Sequence, residues 1–198
     1  MNNDITILYY TSNQIDDAAA ERVRADLIVK ARGIRIVSVS QKPINLGDNI
    51  CVGEIGVSLH NLFKQALIGA KEIKTKYMLC AEDDYLYGAS RFNFVFPGDD
   101  TFYYDDNRWG LTKDGRFFWR PRTIFGMCMV STQLMIDTLE KRFEKHPAPD
   151  TPYLRYFSEP GKYEALLGLP LVKMKRVSTD IPTITFNHHK SLGKRRMV

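Results

Sequence analysis

The stretch YMLCAEDDY at residues 77–85 carries an apolar, strand-like run directly into three consecutive acids, Glu82, Asp83 and Asp84. Side chains along a strand point to opposite faces in turn, so an extended backbone through the triplet puts Glu82 and Asp84 on one side and Asp83 on the other. Two carboxylates one strand period apart suit a hard divalent cation. The carboxyl end of a strand is also where open α/β sheets bind their ligands. Taken alone, the triplet reads first as a solvated acidic turn, and the flanking sequence has to decide.

Upstream, the pattern is that of an α/β sheet. Residues 5–10, ITILYY, read as a buried strand, and the polar TSNQ at 11–14 reads as a turn that also supplies helix caps. Alanines, Val23, Leu27 and Ile28 alternate with charges at helical spacing over 15–31, and Gly33 supplies the stop. The β-branched run at 34–39 is a second strand, completing a βαβ unit. Residues 42–56 read as a Pro- and Gly-punctuated loop. A helix then opens at Ser58, with Leu59, Leu62, Phe63, Ala66, Leu67 and Ala70 on one face. It delivers the chain to the strand at 77–81.

Downstream the texture changes. Residues 92–119 are rich in aromatics, Gly and Asp, too aromatic for a disordered linker. Two readings stay open: side chains such as Tyr104 and Trp109 stack on a sugar or base, or they are core and cross-strand pairs. Residues 123–130 read as an apolar strand and 131–143 as a helix capped by Ser131. A turn follows at 147–152, then a short helix beginning at 158, with Pro160 early and Glu159 and Glu164 favoured by the helix dipole. Strands at 171–177 and 181–186 precede the basic end.

The 198 residues suffice for one core and predict one domain. With 44% hydrophobic and 26% charged residues, and no apolar run as long as a membrane span, the composition is that of an ordinary globular chain. Residues 1–4 are polar and lead into a strand, which predicts no cleaved leader. Cys51, Cys80 and Cys128 lack paired spacing, as expected of reduced thiols in a cytoplasm. A net charge of +5 is a mild basic excess. Much of it is local, with Lys190, Lys194, Arg195 and Arg196 near the end. Such a tail binds nucleic acid, covers a phosphate, or serves solubility alone.

The order of these parts resembles GT-A fold glycosyltransferases of the family that includes bacterial and phage sugar transferases. A strand runs into TSN at 11–13. GVSLHN at 56–61 opens a helix containing Ala66 and Gly69. The next strand ends in Glu82, Asp83 and Asp84, similar to the Glu-Asp-Asp form of that family's Asp-x-Asp metal motif. The likeness covers about residues 5–90 well and the remainder loosely. It implies a single-domain α/β fold, a GT-A-like (Rossmann-like) mixed sheet flanked by helices over 1–198. A nucleotide-sugar-binding half would occupy 1–90 and an acceptor-binding half 91–198.

The resemblance also implies Mn²⁺ or Mg²⁺ and a nucleotide-sugar donor, a UDP-sugar. Asp84 would bind the metal, Glu82 the metal or ribose, and Asp83 the ribose or donor sugar. Tyr10, Thr11, Ser12 and Asn13 would form the base and ribose pocket, the plainer alternative for 11–13 being a helix cap. The His188-His189 pair resembles the late histidine of the metal shell in such enzymes. His188 is favoured because it ends the strand, although a one-residue slip would reverse the choice. Lys190, Lys194 and Arg195 would close over the diphosphate. Glu159 and Glu164 are the candidate bases, but the family's Glu-Asp pair is absent here, which leaves both the base and the stereochemistry open. The acceptor implied first is a 5-hydroxymethylpyrimidine in phage DNA, ahead of polysaccharide or lipid-linked sugars. The rival enzyme class, a sugar nucleotidyltransferase, calls for a Gly-rich phosphate loop near the first strand, and none of the expected kind is present there. A non-catalytic basic nucleic-acid-binding protein would leave the acidic triplet idle.

Overall fold

The computed structural model describes residues 4–112, 114–149 and 152–186. Strand β1 (Ile5–Thr11) is buried throughout. Helix α1 (Asp17–Ala31) begins after Asp16, whose side chain caps the N–H of Ala19, so the helix starts two residues later than periodicity suggests. Arg32 takes the left-handed conformation and Gly33 follows with φ 84°, turning the chain into β2 (Arg35–Ser40).

The span 42–56, expected to be loop, contains a further strand, β3 (Asp48–Cys51), paired parallel to β2. Its DNIC sequence has no alternating apolar face to reveal it. What anchors the segment is Asn49, whose amide donates to Ser38 Oγ at 2.9 Å and Ser40 Oγ at 3.0 Å.

Helix α2 (Leu59–Glu72) is capped by Ser58, and β4 (Tyr77–Ala81) follows it. Beyond the acids come β5 (Tyr85–Leu86), β6 (Thr101–Asp105), β7 (Arg108–Leu111) and β8 (Phe117–Trp119). The apolar run at 123–130 is mostly not strand: a 3-10 turn at Phe125–Met127 precedes β9 (Cys128–Ser131). The expected cap is present, with Ser131 Oγ accepting from Leu134 N at the start of α3 (Thr132–Lys145). The helix expected at 158–164 is replaced by turns, leading to β10 (Lys173–Val177) and β11 (Thr183–Phe186).

Seven strands form one sheet in the order β10-β6-β9-β4-β1-β2-β3, and β9 runs against the other six. Strand periodicity divides its side chains between two cores. Leu8, Tyr10, Val37, Val39, Met78 and Cys80 pack with Phe63, Ala66 and Ala70 of α2 and Met135 and Leu139 of α3. Ile5, Ile7, Tyr9, Ile36, Leu79 and Ala81 pack with Leu27 and Ala31 of α1. Helices therefore cover both faces, as mostly parallel sheets require. Strands on both sides of residue 90 contribute to this sheet.

The other strands form a small sheet, β5-β11-β7-β8. Residues 82–84 therefore link the two sheets, with β4 before them and β5 after. None of the helices is long and apolar enough to cross a membrane, among the described residues.

Candidate functional site

At this junction lies a cleft of about 280 Å³, lined by Tyr10, Thr11, Ser12, Gln41, Gly56, Glu82, Asp83, Asp84, Arg108, Arg120, Ser158, Glu159 and Thr185 among others. The strand-alternation expectation for the acids is corrected here. Strand β4 ends at Ala81 and the backbone turns through 82–84, so all three acids line the same cleft. The physical reason is a change of partner: the Glu82 N–H leaves the ladder and donates to Tyr87 Oη at 2.9 Å.

Each acid sits in its own environment. Tyr10 Oη donates to Glu82 Oε1 at 2.6 Å. Burial, reinforced by the negative charges of Asp83 and Glu159, pushes the Glu82 carboxyl up to about 7 despite that hydrogen bond. Thr11 Oγ1 donates to Asp83 Oδ2, tying the β1 loop to the triplet. Burial raises the Asp84 carboxyl well above the ordinary carboxylate range, with Glu82 and Asp83 adding repulsion. Its Oδ1 is buried without a hydrogen-bond partner among the described residues.

That orphaned oxygen decides the fit to a cation. No group of three His, Cys, Asp or Glu side chains is gathered as a ready metal site among the described residues. Mutually repelling carboxylates with an unpartnered buried oxygen nevertheless suit an ion whose remaining positions are filled by ligand oxygens or water, as is usual for Mg²⁺. His188, Lys190, Lys194 and Arg195 lie outside the described residues.

The remaining expected residues separate. Tyr10, Thr11 and Ser12 line the cleft, whereas Asn13 organises its rim. Asn13 adopts φ 54°, and its Oδ1 accepts from Gln41 N and Lys42 N, each at 2.9 Å. Glu159 is in the cleft wall, held by Ser158 Oγ and by Lys162 Nζ at 3.4 Å. Glu164 is not among the lining residues. Its Oε1 takes two N–H bonds from the fully buried Arg142 and its Oε2 accepts from Gly161 N at 2.8 Å, so its acceptor positions are committed to holding the turn. Tyr104 is likewise a core residue, donating to Pro160 O at 2.8 Å, and cannot stack on a ligand.

Several lining residues carried no signal in the sequence. Gln41 pairs with Gly56 through both ends of its amide, at 2.8 and 3.2 Å, and both residues line the cleft. Arg108 and Arg120 arrive from the small sheet, and only the pairing of β7 with β8 and β11 brings them there.

No protein-family model matches the chain, and no curated protein sequence matches it. Solved structures do resemble it in fold. A glycosyltransferase involved in glycosylation of the major capsid of PBCV-1 superposes with a TM-score of 0.54 at 12% identity, over 91% of this chain and 91% of that one. A 1–349 fragment of S. aureus TarS in complex with UDP-GlcNAc gives 0.54 at 10% identity, covering 95% of this chain. This chain spans 60% of that fragment. The inositol-1-phosphate CTP transferase from T. maritima gives 0.52 at 10% identity, over 96% and 91% of the two chains. At such identities the likeness concerns the fold, and the fold is the Rossmann-like, GT-A-like mixed sheet flanked by helices.

Proposed function

We propose that this chain is a glycosyltransferase that moves a sugar from a nucleoside diphosphate donor, a UDP-sugar first, to a hydroxyl acceptor. The observation that carries the reading is one cleft where the two sheets meet, lined by the three acids together with the β1 loop and Glu159. Residues 1–90 would supply most of the donor side and 91–198 the acceptor side of one domain.

Tyr10, Thr11 and Ser12 bind the base and ribose, and Asp83, fixed by Thr11, takes a ribose or sugar hydroxyl. Asp84, with Glu82 beside it, would hold Mn²⁺ or Mg²⁺, which supplies Lewis-acid neutralisation of a diphosphate when bound. His188 is proposed as a further ligand; Phe186, the last described residue before it, donates its N–H to the Asp84 backbone O at 3.2 Å. Lys190, Lys194 and Arg195 are proposed to cover the diphosphate. Glu159 is the base. It accepts the acceptor's proton as that oxygen bonds the anomeric carbon, while the bond from that carbon to phosphate oxygen breaks and its electron pair leaves on the phosphate. A single displacement of this kind inverts the anomeric centre.

The acceptor put first is DNA carrying a 5-hydroxymethylpyrimidine, supported by the net charge of +5 and by Arg120 in the cleft with Arg116 and Arg122 near it in sequence. The test incubates the protein with Mn²⁺, a panel of nucleotide sugars, and either hydroxymethylated duplex DNA or small saccharides, and weighs the products. The expected result is a hexose-sized mass gain on the modified base, lost in Asp84→Asn together with the melting-temperature rise that the donor produces. Transfer to saccharides alone removes the DNA acceptor. Release of pyrophosphate from a nucleoside triphosphate and a sugar phosphate, with no transfer, replaces the proposal by nucleotidyl transfer.

A further inference from the structure

Arg108 is 2% exposed and lines the cleft together with Glu82, Asp84 and Glu159. One end of its guanidinium is fixed, since Nη1 donates to Thr185 Oγ1 at 3.1 Å. The other edge is bare: Nε and Nη2 are buried and have no hydrogen-bond partner among the described residues. Those two nitrogens are the side-on pair whose parallel N–H bonds match two oxygens of one phosphate or carboxylate. A residue present only to neutralise the acids would turn this edge onto a carboxylate. Here its charge only partly opposes the rise that burial imposes on Glu82 and Asp84, and neither carboxylate occupies the edge. A buried cation with two unmet donors is costly unless a ligand completes it.

We propose that the Nε and Nη2 edge of Arg108 is an oxyanion clamp for the distal phosphate of the nucleoside diphosphate, the group that departs with the electron pair of the broken sugar–phosphate bond. The assignment rests on the transferase reading and adds to it a buried cation on the leaving group, separate from the basic tail and from any ion held by Asp84.

The test is calorimetric titration of the full chain with UDP and UMP, in Mg²⁺ and in EDTA, for the wild type, Arg108→Gln and Arg108→Lys. In EDTA the wild type should still bind UDP at least about tenfold tighter than UMP, the worth of a charge-assisted pair. Arg108→Gln should lower that preference by about tenfold, to whatever Lys190, Lys194 and Arg195 supply, and leave UMP affinity within about twofold, and Arg108→Lys, which keeps the charge but not the fork, should recover only part of the loss. A UDP preference undiminished in Arg108→Gln overturns the clamp. So does one that vanishes from the wild type in EDTA, a result independent of whether any variant folds. A preference of UDP-glucuronate over UDP-glucose that Arg108→Gln removes, with UDP itself unaffected, assigns the edge to a sugar carboxylate and also overturns the phosphate clamp. Wild type that binds none of UDP, CDP, GDP or dTDP in either buffer sinks the transferase reading itself.

Discussion

Glu159 and Glu164 look alike in sequence, and their surroundings separate them. Glu164 closes a fully buried pair with Arg142, so Glu164→Ala leaves an uncompensated guanidinium in the core and should cost about 3–5 kcal/mol in urea unfolding. Glu159→Gln should change stability by less than about 1 kcal/mol but cut turnover by about 10²–10⁴, as loss of a general base does. Equal effects on stability would undo the division of roles. Glu82 yields a pH prediction. Its carboxyl rises from 4.5 to about 7 on folding, so between those values the folded state binds more protons than the unfolded one. Stability must then fall as pH rises through that window, by on the order of a few kcal/mol, and stay low above it. In EDTA, Glu82→Gln should match the wild type near pH 4.5 and exceed it at pH 8; a variant less stable than wild type at pH 8 contradicts the assignment.

At the scale of elements, α2 lies tightly against the sheet. A Cβ on Gly69 would lie 2.3 Å from Leu8 Cδ1 and 2.8 Å from Val39 Cγ2. Helix propensity alone predicts that Gly69→Ala stabilises by about 1 kcal/mol, while overpacking predicts a loss of about 1–3 kcal/mol. We expect the loss to win, because the obstructing atoms are buried core side chains. A measured gain would show that the helix stands off the sheet. The same helix holds the strand ends that carry the site, since Gln65 Nε2 donates to Thr11 O at 2.9 Å and Val39 O at 3.2 Å. Gly69→Ala should therefore weaken donor binding as well as stability. Elements with a strong period, such as α2, β1 and β2, were legible before any coordinates. Strand β3 and the turns at 158–164 were not, because polar anchors such as Asn49 and a buried Arg142–Glu164 pair replace the hydrophobic pattern there.

For the molecule as a whole, the basic end offers a test that separates donor from acceptor contacts. Removing residues 191–198 should weaken UDP-sugar binding while moving the melting temperature little, if Lys194 and Arg195 cover the diphosphate. A truncation that keeps donor affinity and loses only salt-sensitive DNA binding assigns those residues to the acceptor. The βαβ opening, the strand that ends in Glu82, Asp83 and Asp84, and the candidacy of Tyr10, Thr11, Ser12 and Glu159 are legible along the chain, because local periodicity and an acidic cluster are properties of neighbouring residues. It takes the assembled fold to link two sheets through the triplet and gather its three carboxylates into one cleft, to commit Glu164 and Tyr104 to the core, and to bring Arg108 in from β7 with an open edge. Those outcomes depend on which distant strands pair, and on which polar atoms are left without partners once they do.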